Sequence, residues 1–211
     1  MLRIGLTGGI GCGKGTVAAM MSELGCHIIN ADKMAHALIA PGEPAYDEVV
    51  REFGKHILAP DGMIDRARLA SIVFGDAKKL AALNAIVHPR VLREIDREFD
   101  RLAANDPHGI AVVEAALLIE AGYHHKLDRL VLVTCTREQQ LERLTNSAFG
   151  RAMSREQAEK RIAAQMPLEE KRRAGAGKID EIDCSGSLDC TTRQVQALVG
   201  QLRQLARSPA R

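Results

Sequence analysis

The stretch Gly8-Gly9-Ile10-Gly11-Cys12-Gly13-Lys14-Gly15-Thr16 holds the densest chemistry in the chain. Gly8, Gly13 and Lys14 have the G-x-x-x-x-G-K spacing of a phosphate-binding loop. The apolar run Leu2–Thr7 before it and the helical spacing after it supply the strand–loop–helix setting that this motif requires. Glycines let successive N–H groups turn inward as an anion nest. A helix N-terminus adds the positive end of its dipole. Lys14 would bring a point charge to the β- and γ-phosphates. Gly9, Gly11, Cys12, Gly13, Lys14, Gly15 and Thr16 are therefore the expected ATP contacts. One letter departs from the pattern, which asks for Ser or Thr directly after the lysine to help hold Mg²⁺. Here that position is Gly15, and the hydroxyl comes one residue late on Thr16. Mg²⁺ keeps several waters and needs few protein ligands. A water is therefore expected where the hydroxyl is missing, with Thr16 donating near the α-phosphate. Cys12 is either a small filler of a variable loop position or a thiol activated at a helix N-terminus.

Two carboxylates follow strands that would end beside this loop. Asp32, after Ile29-Asn30-Ala31, would take a proton from an attacking hydroxyl or orient Mg²⁺-bound water, or simply favour the dipole at a helix start. Glu114 ends the apolar run Ala111-Val112-Val113. That is the arrangement of an acid that holds Mg²⁺ directly or through water. Glu120 is expected in a following helix. Pro89 predicts a helix break at His88-Pro89-Arg90, which would leave His88 and Arg90 in a loop, as substrate-phosphate contacts or as structural residues. Between Arg143 and Arg173 stand eight Lys or Arg against four Glu. Such a run is either a solvated face or part of a lid that brings arginine to a transferring phosphoryl group. Arg143 and Arg151 are the candidates, in or beside a loop over 145–153.

The positioning elements are legible as alternating strands and helices. Strands are expected at Leu2–Thr7, Cys26–Asn30, Ile110–Glu114, Leu130–Cys135 and Ile179–Cys184. Helices are expected at Thr16–Leu24, Ala31–Leu38, Tyr46–Phe53, Arg66–Phe74, Ala77–Val87, Val91–Leu102, Arg137–Leu144, Ser154–Gln165 and Leu188–Leu205. The run Leu130–Cys135 has almost no polar alternation, as in strands of parallel sheets covered on both faces. The class is α/β with a mostly parallel sheet, in which ligands bind at the carboxyl ends of the strands.

The chain of 211 residues is 46% apolar and 27% charged, enough for one sizeable domain. A net charge of +2 and 3% aromatics give neither a field nor a stacking platform for nucleic acid. No apolar run is long enough for a membrane span, and the N-terminus lacks a signal-peptide pattern. Five cysteines without a CxxC pair point to a reduced, cytoplasmic protein rather than a disulfide framework or zinc site. No feature specifies an oligomeric state.

Taken in order, several segments resemble the dephospho-CoA kinase family. They are Leu6-Thr7-Gly8-Gly9-Ile10-Gly11, Asn30-Ala31-Asp32, His88-Pro89, Val113 through Gly122, Gln140 through Leu144, Ala164-Gln165-Met166-Pro167, and Ser185-Gly186-Ser187. The similarity runs from residue 1 to roughly 200. It implies a P-loop kinase fold with a five-stranded, mostly parallel sheet flanked by helices. The nucleotide-binding core would span about 1–40 and 109–205, the helical substrate subdomain about 41–108 and the lid about 145–166. It also implies ATP-dependent phosphorylation of the ribose 3′-hydroxyl of dephospho-CoA, with Mg²⁺. By position, Asp32 becomes the base or orienting carboxylate and Glu114 the second acid, with Mg²⁺ reached through water from either. Lys14, Arg143 and Arg151 stabilise the transferring group, while His88 and Arg90 face substrate. The chain departs from the family at Gly15, where GKST is usual, and at Glu114 and Ala116, where Asp and Pro are usual. GKGT is also the form of adenylate-kinase-type loops, so a nucleoside monophosphate kinase is the alternative. A nucleotide-binding protein without catalysis is the other.

Overall fold

The computed structural model describes residues 1–73, 76–146 and 153–207. The chain divides into two compact units, one of Met1–Ile29 with Phe99–Arg211 and one of Asn30–Glu98.

In the first unit, β1 (Leu2–Gly8) lies at the centre of a five-stranded sheet of order β2-β3-β1-β4-β5. The others are β2 (His27–Asn30), β3 (Ile110–Glu114), β4 (Arg129–Thr134) and β5 (Ile179–Asp183). β1 runs parallel to β3 and β4, and β4 runs parallel to β5. Leu6 pairs with Glu114 and Gly8 with Val133. The chain therefore leaves β1 between the carboxyl ends of two neighbours, at the switch point where open α/β sheets bind ligands. Ala111, Val112 and Val113 on β3 and Leu130 through Val133 on β4 are fully buried, as expected for strands covered on both faces. One face packs against α1 (Lys14–Glu23) and α9 (Leu188–Arg207) through Ile4, Leu6, Val17, Met21, Val131, Val195 and Val199.

The connecting helices start where the sequence provides caps. Thr136 caps α6 (Arg137–Thr145) and Ser154 caps α7 (Arg155–Ala163), each in a reciprocal box with a Gln three residues on. α8 (Leu168–Ala174) is an element the sequence pattern did not announce. Its LEEKRRA run reads as solvated charge, yet Lys171 is buried. Residues 116–122 form successive turns, not the helix expected around Glu120. Leu118 and Ile119 are both buried there, and Tyr123 N–H reaches back to the Leu118 carbonyl.

The second unit is helical. α2 (Ala31–Leu38) begins at Asn30, whose side chain accepts from the Lys33 N–H at 2.8 Å. α3 (Tyr46–Phe53), α4 (Arg66–Val73) and most of α5 (Ala77–Asn105) complete it. Arg90 Nη2 is paired with Glu48 Oε1 at 2.5 Å, tying α5 to α3.

α5 overturns the expected break at His88-Pro89-Arg90. It is one helix of 29 residues with Pro89 inside it, and His88 and Arg90 are helical. The reason is the buried ladder Val87, Val91, Ile95, Phe99 and Leu102, which keeps helical spacing straight across the proline. A mid-helix proline costs about 3 kcal/mol, whereas each buried side chain of this size contributes about 1.5–3 kcal/mol. The ladder wins. Replacing Pro89, which is exposed, should therefore stabilise the fold. Pro89→Ala is expected to raise the unfolding free energy by about 1–3 kcal/mol, through the restored hydrogen bond and relieved ring clash. A thermal or urea melt checks this, and an unchanged or lower midpoint would show that Pro89 does not cost the helix stability.

Candidate active site

β1 ends at Gly8 because no other residue fits. A Cβ there would stand 2.2 Å from the Val133 carbonyl oxygen, and its φ is +150°. The chain then turns through residues 9–13 into α1. Gly13, the residue before α1, has φ 98° and ψ 20°, a left-handed conformation that glycine adopts without strain. With no side chain to cap α1, it leaves the first N–H groups of the helix facing the loop.

The outer side of this loop is gripped by side chains. Gln165 Oε1 accepts from the Ile10 N–H at 2.7 Å, and Gln140 Nε2 donates to the Ile10 carbonyl at 2.9 Å. Arg143, on α6, donates to the Gly11 carbonyl at 3.2 Å and to the Cys184 carbonyl at 2.9 Å. Lys14 Nζ donates to the Gly8 and Gly9 carbonyls at 3.0 and 3.1 Å. One residue, Ile10, is thus held at both its backbone polar atoms, and the carbonyls of residues 8–11 all have donors. The sequence reading assigned Arg143 to the lid; in the structure it sits on α6 against the loop. Arg151 lies outside the described residues. The two glutamines stand in the motif segments around 140–144 and 164–167, but nothing local in the chain reveals their shared target.

Glu114 closes β3 beside the loop. A Cβ built on Gly15 would lie 3.8 Å from Glu114 Oε1 and would meet no other atom nearby. Gly15 and Thr16 are both exposed. Among the described residues, no group of three or more His, Cys, Asp or Glu side chains could hold a metal by itself. A single carboxylate next to an open glycine does fit Mg²⁺, which takes one or two carboxylates and completes its shell with water and nucleotide phosphates. Below Glu114, Lys171 Nζ makes a 2.6 Å ion pair with Glu120 Oε1 and a 3.3 Å hydrogen bond to the Ala116 carbonyl. Thr7 Oγ1 donates to the same carbonyl at 3.2 Å. A cavity of about 300 Å³ opens beside the loop, lined among others by Gly9, Cys12, Cys135, Gln140, Gln165 and Lys171.

The remaining candidates lie in the second unit. Asp32 is exposed in the first turn of α2. One turn on, His36 Nδ1 stands 2.8 Å from Arg66 Nη1. Burial and then the Arg66 charge hold the His36 pKa below its ordinary value, against the pull of Asp32. Acid, imidazole and guanidinium therefore form one cluster, of which only the acid was read from the sequence. His88 is half-buried on α5, and burial lowers its pKa. Arg90 is committed to Glu48 and, through Nη1, to the Ile86 carbonyl at 2.5 Å.

A family model described as dephospho-CoA kinase matches residues 2–185. The chain belongs to the dephospho-CoA kinase family. A dephospho-CoA kinase of Carboxydothermus hydrogenoformans is 44% identical over 196 residues, covering 93% of this chain and 92% of that protein. One of Aquifex aeolicus is 43% identical, covering 96% and 98%. Among solved structures, the TT1252 protein of Thermus thermophilus superposes with a TM-score of 0.77 at 34% identity, covering 95% of this chain and 97% of that one. The chain is thus a kinase, and its fold is the expected parallel sheet flanked by helices. No described helix is long and apolar enough to cross a membrane.

Within this kinase, Lys171 is a sharp test of how the loop's surroundings are held. Its side chain is 2% exposed and that of Glu120 22%. Removing the buried cation strands a carboxylate that is only partly in water. Lys171→Met is expected to lower the unfolding free energy in urea by about 3 kcal/mol, the low end for a broken buried pair because Glu120 keeps some water. Adding Glu120→Gln should recover roughly half of that loss, since a pair replaced together leaves no stranded charge. An undisturbed single variant would mean that the pair is not holding α8.

Proposed function

We propose that this chain transfers the γ-phosphoryl group of ATP to the ribose 3′-hydroxyl of dephospho-CoA, giving coenzyme A and ADP, the last step of coenzyme A synthesis. The observation that carries this reading is the family match over residues 2–185, laid on a phosphate loop with its lysine and an acid-bearing neighbouring strand.

In this reading the backbone N–H groups of Gly9, Gly11, Cys12, Gly13, Lys14, Gly15 and Thr16 cradle the ATP phosphates, while that of Ile10 stays with Gln165. Lys14 exchanges its two carbonyl partners for phosphate oxygens as the nucleotide enters. Arg143 and the two glutamines hold the loop in place meanwhile, so little reorganisation is required at the moment of transfer. Arg143 also brings a fixed positive charge behind the loop. Glu114 would hold Mg²⁺, directly or through water, beside Gly15. When bound, Mg²⁺ neutralises charge on the β- and γ-phosphate oxygens. Asp32 accepts the proton of the 3′-hydroxyl as it attacks in line. His88 and Arg90 are the proposed substrate contacts, with about 41–108 as the substrate-binding region and about 145–166 as the lid, including Arg151.

The direct test supplies ATP, Mg²⁺ and either dephospho-CoA or AMP. Formation of coenzyme A and ADP is expected, with AMP a far poorer acceptor. Faster turnover of AMP would move the chain to the nucleoside monophosphate kinases, and tight ATP binding with no acceptor would make it a binding protein. Asp32→Asn should leave ATP affinity intact and reduce kcat by about 10²–10⁴, the range of general acid–base catalysis. Near-normal turnover would remove Asp32 from the role of base. Glu114→Gln should raise the Mg²⁺ concentration needed for tight ATP binding, read by calorimetry without acceptor. Gly15→Ser, which adds a hydroxyl beside the same carboxylate, should lower it. If neither variant moves the Mg²⁺ midpoint, the cation is held elsewhere.

A further inference from the structure

The loop carries a feature that phosphate binding does not use. Cys12 is 3% exposed, and its Sγ lies 3.0 Å from Sγ of Cys135, the residue that follows β4. The two positions are 123 residues apart in the chain. Both residues line the cavity beside the loop, which gives a small solute an approach to the pair. We propose that Cys12 and Cys135 form a peroxide-sensitive thiol pair whose disulfide locks the phosphate loop to the end of β4 and shuts down nucleotide use.

The two sulfurs are unlike, as such a couple requires. The Cys135 thiol donates its hydrogen to Cys12 Sγ. That hydrogen bond, with the charges of Lys14 and Arg143, outweighs burial and brings the Cys12 pKa down to about 7. The same partnership and burial push the Cys135 pKa up. Cys12 is thus the nucleophile and Cys135 the resolving thiol. The Cys12 thiolate attacks one oxygen of hydrogen peroxide; an S–O bond forms, the O–O bond breaks, and hydroxide leaves. The Cys135 sulfur then attacks the sulfenic acid, losing its proton; the S–S bond forms and the S–O bond breaks, and the departing hydroxide takes a proton. Two thiols and one peroxide give one disulfide and two waters.

Bond formation draws the sulfurs from 3.0 Å to about 2.05 Å. The approach of about 1 Å is shared between Cys135 and a residue of the loop itself, and a misplacement of that size costs about a hundredfold in positioned catalysis. Cys184 is the competing third sulfur, since a Cβ on Gly13 would stand 3.6 Å from its Sγ. Burial raises its pKa, however, and Arg143 fastens its backbone.

The test uses the full chain. Reduced protein is exposed to hydrogen peroxide, alkylated, digested and mapped by mass spectrometry. ATP affinity is read with a fluorescent ATP analogue, and turnover is read in parallel. The expected result is a Cys12–Cys135 crosslinked peptide, with nucleotide affinity and turnover reduced by about tenfold or more and restored by dithiothreitol. Cys135→Ala should keep the reduced-state activity, form no crosslink, and lose activity to peroxide in a form that dithiothreitol no longer restores, as Cys12 is carried to higher oxidation states. A Cys12–Cys184 crosslink, no crosslink at all, or a Cys12–Cys135 crosslink that leaves nucleotide affinity unchanged would each overturn the proposal. Mapping and affinity need no phosphoryl acceptor, so they stand apart from the test of the acceptor's identity.

Discussion

The site depends on one contact, the approach of the Gly8 backbone to the Val133 carbonyl. Parallel pairing brings β1 and β4 together there with no room for a side chain. β1 can therefore run to its very end in the sheet, and the turn into α1 begins level with the ends of β3 and β4. Glu114, Cys135 and the loop arrive at one rim for that reason. A bulkier residue at position 8 would push the loop away from the acid that ends β3, and the chemistry would lose its common floor.

Once placed, the loop is stiffened from outside. A phosphate nest has to keep N–H groups pointed at a ligand, so its carbonyls must be satisfied elsewhere or they compete for the same donors. Here Gln140, Arg143 and Lys14 donate to those carbonyls, and Gln165 fixes the Ile10 N–H. Three of the four come from helices far away in sequence or from the segment after α7. The capping boxes at Thr136 and Ser154 thus matter for function. They set the start of α6 and α7, and so the angular position of the side chains that grip the loop.

What could be read from the sequence follows from the range of the forces involved. The strands β1, β3 and β4 were legible because covered strands are apolar, and the loop because its glycines are demanded by local backbone geometry. Pro89 misled because its local cost is conspicuous, while the ladder from Val87 to Leu102 that outweighs it is spread over four turns. Lys171 misled for the opposite reason. A lysine in a charged run is normally solvated, and only Glu120 and the Ala116 carbonyl, both more than fifty residues away, explain its burial. Gln140, Gln165, His36 and Arg66 were invisible as site residues because each gains its meaning from a partner that no local pattern names.

The two departures at the loop, Gly15 and Glu114, read in the sequence as separate oddities. The structure makes them neighbours. An extra methylene carries the Glu114 carboxylate toward the space that a Ser or Thr side chain at position 15 would fill, and the glycine leaves that space clear. Compared with the usual Asp and Ser pair, the charge is unchanged and one neutral oxygen is lost, so under the proposed Mg²⁺ role of Glu114 a water or a nucleotide phosphate completes the shell. An unneutralised carboxylate beside the loop opposes the incoming phosphates, and no hydroxyl is there to hold the cation in advance. In that reading, nucleotide and cation should enter together more strictly here than at a loop that carries its own hydroxyl. The exchange of one hydroxyl for one methylene changes the coupling between two ligands more than the affinity for either.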